Sequence, residues 1–244
     1  MDYLKYTHNY DKMIKLIIGG VGTGKSISIV KEIIDRNRKC FVNFSIKYPY
    51  ATRLKLDNIV IDEIKGYKKN GEAITKQVVN WDFWNNLKNS GEEFDIYIDE
   101  AHNIANSRRS MSTWNKNFND WLAQIRKILG SSEKSNLYII TQRVMGIDTS
   151  IRDLCHEITY MKKVQLNKTV KTPVLEHGRR KNKILPVVLI FKHHFKGEFC
   201  LDAFELFMRT RQKSYRYKSY FVANKYYQFY ESYELIDFGN GVYV

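Results

Sequence analysis

Three cysteines in 244 residues, Cys40, Cys155 and Cys200, are too few and too scattered for a disulfide framework or for a zinc site with its paired short spacings. That scarcity fits a reducing, cytosolic setting. Also missing is any apolar run approaching the roughly 20 residues that span a bilayer, and residues 1–12 are polar and aromatic, unlike a signal peptide. The chain reads as soluble, with no membrane span. It has no internal repeat and no low-complexity tract. Acidic residues are short against basic ones: 26 Asp and Glu face 40 Lys and Arg, a formal charge of +14.

What is present fills in the picture. A 43% share of hydrophobic residues in a chain of this length can bury one sizeable core. The positive charge points to a polyanionic partner, because Lys and Arg gain affinity for nucleic acid by releasing counterions from its backbone. Most of the surplus lies between Met161 and Lys225, where sixteen Lys or Arg face four Asp or Glu. Basic and aromatic residues interleave at Arg209 to Tyr220, which suits stacking on single strands. Phe204, Phe207, Tyr215, Tyr217, Tyr220 and Phe221 are read more readily as core or interface residues.

Apolar runs alternate with helical patterns, the signature of a mainly parallel α/β fold. Strands are expected at Lys15 to Ile18, Cys40 to Phe44, Asn58 to Ile61, Phe94 to Ile98 and Asn136 to Thr141. Helices are expected at Ser26 to Ile34, Trp81 to Leu87 and Trp114 to Leu129, and a solvated loop or hairpin at Lys65 to Lys76.

Gly19-Gly20-Val21-Gly22-Thr23-Gly24-Lys25-Ser26 satisfies G-x-x-x-x-G-K-S between a strand and a helix, the context a P-loop requires. Its glycines turn backbone N–H groups inward around phosphates at the positive end of the helix. Lys25 reaches the β and γ phosphates of ATP, and Ser26 offers a hydroxyl to Mg²⁺. The strand Phe94-Asp95-Ile96-Tyr97-Ile98 ends in Asp99-Glu100, which has the form of a Walker B segment. Asp99 holds the Mg²⁺ shell, and Glu100 orients or deprotonates the attacking water. A third apolar strand ends in Thr141-Gln142-Arg143, placing Gln142 to contact the γ-phosphate.

At these three places the chain resembles the FtsK-HerA superfamily of DNA-pumping ATPases, over roughly the first 160 residues. Trp121 to Arg126, Thr141 to Arg143 and Ile147 to Arg152 look most like zonula-occludens-toxin-type phage ATPases and viral genome-packaging ATPases, and Tyr227 to Ser232 is similar to their terminal Tyr-rich segment. The resemblance implies a RecA-like (ASCE) P-loop core over 1–160 and a small basic extension over 161–244 packed on it. It implies a ring, pentamer or hexamer, in which an arginine from one subunit reaches the nucleotide of the next. Arg126 is the candidate, with Arg143 and Arg152 as rivals. The expected function is a viral ATPase that pumps duplex DNA, alongside a portal or capsid protein, in the host cytoplasm or on the virion. The alternative is a phage morphogenesis ATPase acting through protein contacts. Toxin-type relatives usually carry a membrane segment after the ATPase domain, and its absence here favours the packaging motor.

Asp99-Glu100-Ala101-His102 also spells the box of DEAH helicases, but those need two RecA-like domains and one P-loop core fits here. His102 is therefore expected to be an ordinary residue opening a loop, and His102, His193 and His194 lack the further ligands of a metal site. The loop from Asn103 to Thr113 carries Arg108 and Arg109, which suit gripping phosphates in a ring pore.

Overall fold

A computed structural model describes residues 14–104, 112–129 and 135–230. Its centre is an eight-stranded sheet in the order β10-β9-β8-β1-β7-β6-β2-β3. The strands are β1 (Ile14–Ile18), β2 (Lys39–Val42), β3 (Ala51–Arg53), β6 (Phe94–Ile98), β7 (Leu137–Thr141), β8 (Glu157–Glu176), β9 (Arg179–Lys196) and β10 (Tyr217–Val222). From β8 to β3 the strands run parallel; β9 and β10 are antiparallel. A separate hairpin pairs β4 (Val60–Tyr67) with β5 (Ala73–Val79). The strand expected at Asn58 to Ile61 begins at Val60 and runs on to Tyr67, and of the loop or hairpin expected at Lys65 to Lys76 the structure has the hairpin.

Both faces of the sheet are covered, which explains why β6 and β7 are buried throughout and, apart from Asp95 and Thr141, apolar or aromatic. Alternate residues of β1 divide between two cores. Ile14, Leu16 and Ile18 pack with Trp84 of α2 (Trp81–Asn89), with Phe118, Trp121 and Leu122 of α4 (Thr113–Leu129), and with Phe204 and Phe207 of α6 (Cys200–Thr210). Ile17 packs on the other side with Ile27, Ile29, Val30 and Ile33 of α1 (Lys25–Arg36). Two short helices, α3 (Ala101–Ile104) and α5 (Thr149–Asp153), complete the set among the described residues.

α1 is held at its far end by an ion pair. Arg36 donates to both carboxylate oxygens of Asp95, a fully buried residue of β6, at 2.6 and 3.1 Å. Asp95 is thus a strut between helix and sheet. Cys40, Cys155 and Cys200 are free and buried, and burial pushes their thiols up.

The C-terminal third does not stand apart from this sheet. The expected division at 160/161 falls inside β8, which pairs with β1 through Tyr160 and then runs on past the sheet end. There β8 and β9 form an arm closed by His177-Gly178, both at positive φ (47° and 71°), the two-residue turn whose twist matches its strands. A register shift between Gln165 and Thr169 sits opposite Pro186, a residue without an N–H to give to the ladder. Beyond it the arm crosses the end of the sheet, and its tip meets the loop after β2, where Lys47 Nζ donates to Gly178 O at 3.3 Å. A 3-10 segment, Asn224–Phe229, is tucked behind the arm. Asn224 fixes it by accepting from Val188 N at 2.8 Å and donating to Thr172 Oγ1 at 2.9 Å.

Candidate functional site

The parallel arrangement brings the ends of β1, β7 and β6 side by side, and each carries one of the expected motifs. After β1 the chain turns through Gly19 to Gly24 and enters α1 at Lys25. Gly24 has φ +92°, a left-handed value that favours glycine, and an added Cβ there would lie 2.3 Å from Ile190 Cδ1 of β9. The P-loop and the arm are therefore in direct contact. Lys25 folds back over the loop, donating to Gly19 O at 2.8 Å and Gly20 O at 3.0 Å. Burial lowers its pKa, while the Glu100 and Asp99 carboxylates pull it back up.

Ser26, at the start of α1, donates Oγ to Asp99 Oδ2 at 2.8 Å. Asp99 is 2% exposed and its other oxygen accepts from Glu100 N at 2.8 Å. Asn43, just after β2, clamps the same strand end: its Oδ1 accepts from Asp99 N at 2.7 Å and its Nδ2 donates to Asp99 O at 2.9 Å. Burial pushes the Asp99 carboxyl up, against the hydrogen bond from Ser26. A hydroxyl beside a buried carboxylate is the hard-oxygen pair that suits Mg²⁺, whose charge offsets the cost of burying the carboxylate. Among the described residues no group of three or more His, Cys, Asp and Glu gathers as a metal site.

Glu100 takes φ +50°, outside the regions a side chain prefers, in the sharp turn from β6 into α3. Gln142, one strand over at the end of β7, donates Nε2 to both Glu100 oxygens, at 3.1 and 3.2 Å. His102 completes the group, with Nδ1 3.3 Å from Glu100 Oε2 and 3.5 Å from Thr141 Oγ1. This corrects the expectation that His102 merely opens a loop: α3 turns it back toward the carboxylate, and it lines the same cavity.

That cavity, of about 880 Å³, is of a size to hold a nucleoside triphosphate. One wall is Val21, Gly22, Gly24, Lys25 and Ser26 with Asp99, Glu100, His102 and Gln142. The opposite wall comes from the arm and the segment behind it: Lys163, Val174, Leu175, Glu176, Lys183, Leu185, Ile190, Tyr227 and Tyr230. Sequence reasoning gave this wall no part in the site. Its one signal was the Tyr-rich segment, of which Tyr227 to Tyr230 are described.

Lys25, Ser26, Asp99, Glu100 and Gln142 thus converge, and Gly20 and Thr23 shape the loop through a hydrogen bond from Thr23 Oγ1 to Gly20 O of 2.8 Å. Arg126 lies apart: it is exposed near the end of α4, close enough to His156, beside the start of β1, for its charge to lower that imidazole's pKa after burial has done so. Arg143 is exposed beside Gln142, and Arg152 donates to Thr149 Oγ1 at 2.8 Å. Arg108 and Arg109 fall outside the described residues. Of the C-terminal aromatics, Phe204, Phe207 and Phe221 are buried, whereas Tyr217 and Tyr220 are exposed. No helix among the described residues is long and apolar enough to cross a membrane.

A glycine-rich turn between strand and helix, with an acidic pair and a polar residue on the neighbouring strand ends, defines a P-loop nucleoside triphosphatase. The chain belongs to the Zonular occludens toxin (Zot) family, whose pattern it matches over residues 13–184. No curated protein matches its sequence. Among solved structures it is similar to the N-terminal domain of zonular occludens toxin from Neisseria meningitidis, with 19% identity and a TM-score of 0.48, over 90% of this chain and 100% of that one. It is also similar to the genome packaging NTPase B204 of Sulfolobus turreted icosahedral virus 2 in complex with ATP-gammaS, with 12% identity and a TM-score of 0.37, over 62% and 75% of the two chains. EssC (ATPases 2 and 3) from Geobacillus thermodenitrificans shares 10% identity at a TM-score of 0.40, over 62% of this chain and 32% of that one.

Proposed function

We propose that this protein hydrolyses ATP to drive a phage or viral assembly process, as one subunit of a homo-oligomeric ring. The observation that carries the reading is the convergence of Lys25, Ser26, Asp99, Glu100 and Gln142 on one cavity. Lys25 leaves its two carbonyl partners to bind the β and γ phosphates. Ser26 and Asp99 would hold Mg²⁺, which would offset the negative charge that develops in the transition state. Glu100 orients and deprotonates the water that attacks the γ-phosphate in line. Gln142 holds that carboxylate in place and registers the terminal phosphate. An arginine from the neighbouring subunit, Arg126 or its rivals Arg143 and Arg152, neutralises charge in trans.

The work is delivered to duplex DNA. The surplus of positive charge on the arm and beyond it supports this reading, since backbone contacts suit a motor indifferent to sequence. Family membership favours a second reading, an ATPase that drives virion assembly or export through protein contacts. Steady-state ATP hydrolysis with and without duplex DNA, across protein concentrations and at two salt levels, separates them. Stimulation by duplex that rises cooperatively with protein and weakens with salt supports the DNA motor; hydrolysis indifferent to DNA supports the assembly ATPase. Glu100→Gln should bind ATP yet lose at least about a hundredfold in kcat. Full turnover in that variant would remove Glu100 from the mechanism.

A further inference from the structure

The cavity is two-faced. Its P-loop wall is charged and polar, whereas the arm opposite is mixed: Val174, Leu175 and Leu185 give it apolar surface beside Lys163, Glu176 and Lys183, and Tyr227 and Tyr230 add aromatic surface behind. A nucleoside triphosphate has the same asymmetry: a polyanion at one end and a flat heterocycle at the other. We propose that the β8–β9 arm and the segment behind it form the subsite for the nucleobase, with Tyr227 as its stacking surface. This rests on the reading of the P-loop as the phosphate site.

Tyr227 stands out from its neighbours by what it does not touch. Tyr226 is engaged edge-on by Phe221 and donates its hydroxyl to Asp35 Oδ1 at 3.2 Å. Phe229 lies under the Arg180 guanidinium at 5.5 Å, and Tyr230 meets Phe44 edge-on at 6.0 Å. Tyr227 makes no ring contact and no hydrogen bond among the described residues, yet it is half-buried and faces the cavity. The backbone beneath it is fixed: Tyr226 N donates to Ala223 O at 2.9 Å, and Lys47 N to Phe229 O at 2.8 Å. Tyr227 packs on the core beside α1 and also lines the cavity; an aromatic ring held at a cavity wall is a stacking platform, and it accepts any base because every base has a π-face. The apolar arm residues supply the opposite side of the slot. The C-terminal third thus gives the site its preference for a nucleotide over bare phosphate.

The test compares the affinities of ATP and inorganic tripolyphosphate, each with Mg²⁺, by calorimetry on the full chain. Tyr227→Ala should weaken ATP by about 5- to 150-fold while changing tripolyphosphate by less than about twofold, and Tyr227→Phe should retain ATP affinity. Equal weakening of both ligands, or of neither, overturns the proposal. Lys25→Ala reports on the phosphate site separately: if it leaves tripolyphosphate binding intact, the P-loop reading fails instead. Should Tyr227→Ala not fold, 2-aminopurine riboside triphosphate gives the answer on the unaltered protein. Its emission should be quenched on binding and recover when ATP displaces it; unchanged emission on binding overturns the stacking.

Discussion

Replacing Gly24 by alanine probes both the conformation of the P-loop and its contact with the arm. The φ of +92° places residue 24 where a side chain is disfavoured, and the new methyl would sit 2.3 Å from Ile190 Cδ1 and 3.0 Å from Cγ1. Left-handed backbone costs a non-glycine residue about 1–2 kcal/mol, and overpacking a dense core costs about 1–3 kcal/mol. Together these predict a loss of about 2–5 kcal/mol in Gly24→Ala. At about 2–4 °C per kcal/mol for a chain of this size, melting should fall by about 4–20 °C. Ile190 is fully buried, so Ile190→Ala alone should also destabilise, by about 2–5 kcal/mol, through the cavity it leaves. In the double variant the alanine methyl at 24 enters the space vacated at 190. The two losses should therefore fall short of additivity by about 1–3 kcal/mol, in a denaturant-unfolding cycle. Additivity within about 0.5 kcal/mol would mean that β9 does not rest on the P-loop, and the account of the arm as part of the site would fail with it.

Three further outcomes follow from the charged groups. Burial raises the Asp99 pKa above its unfolded value, so the stability this group contributes is present below the ordinary aspartate range and lost as pH rises through the raised value. At neutral pH the ionised form is a liability, and Asp99→Asn should raise the melting temperature without nucleotide by about 2–4 °C while abolishing Mg²⁺-dependent ATP binding; a lower melting temperature would refute this. Burial opposes ionisation of Glu157, but hydrogen bonding from His194 and the charges of Lys15 and Lys196 overcome it and lower the pKa. Its contribution is therefore intact above the ordinary glutamate range and lost as pH falls below it; Glu157→Ala should cost about 3–5 kcal/mol at pH 7 and flatten the acid limb of the stability curve. Gln142→Ala frees the Glu100 carboxylate and should lower kcat at least about tenfold with ATP affinity unchanged, whereas a rise in KM alone would make Gln142 a binding residue.

The parts of the site legible in the sequence were those where local chemistry leaves no alternative. Residues 19–26 need glycines at fixed places beside a lysine, and β6 and β7 show as apolar runs because helices cover both their faces. β8 and β9 were harder to see. β8 is largely exposed past Met161 and carries lysines and asparagine, and the apolar run of β9 from Ile184 to Phe191 contains Pro186, so local pattern does not mark the two as one arm. Val174, Leu185 and Tyr227 look like ordinary apolar residues until the bulge opposite Pro186 carries the arm across the P-loop. His102 reads in the sequence as an ordinary residue opening a loop, since nothing in its spacing shows that α3 turns it toward Glu100. Asn43 was missed for the same reason: its partner, Asp99, is 56 residues away.

The place of β1 bears on how the protein is made. It lies between β7 and β8, and Lys15 meets Tyr138 across 123 residues of chain. A ribosome must synthesise most of the protein before the strand that carries the P-loop has a neighbour on each side, and more still before Tyr227 closes the cavity. Contacts this distant are slow to form. A ligand that occupies the completed cavity would bind the folded chain and not the emerging one, and would stabilise the finished molecule by mass action.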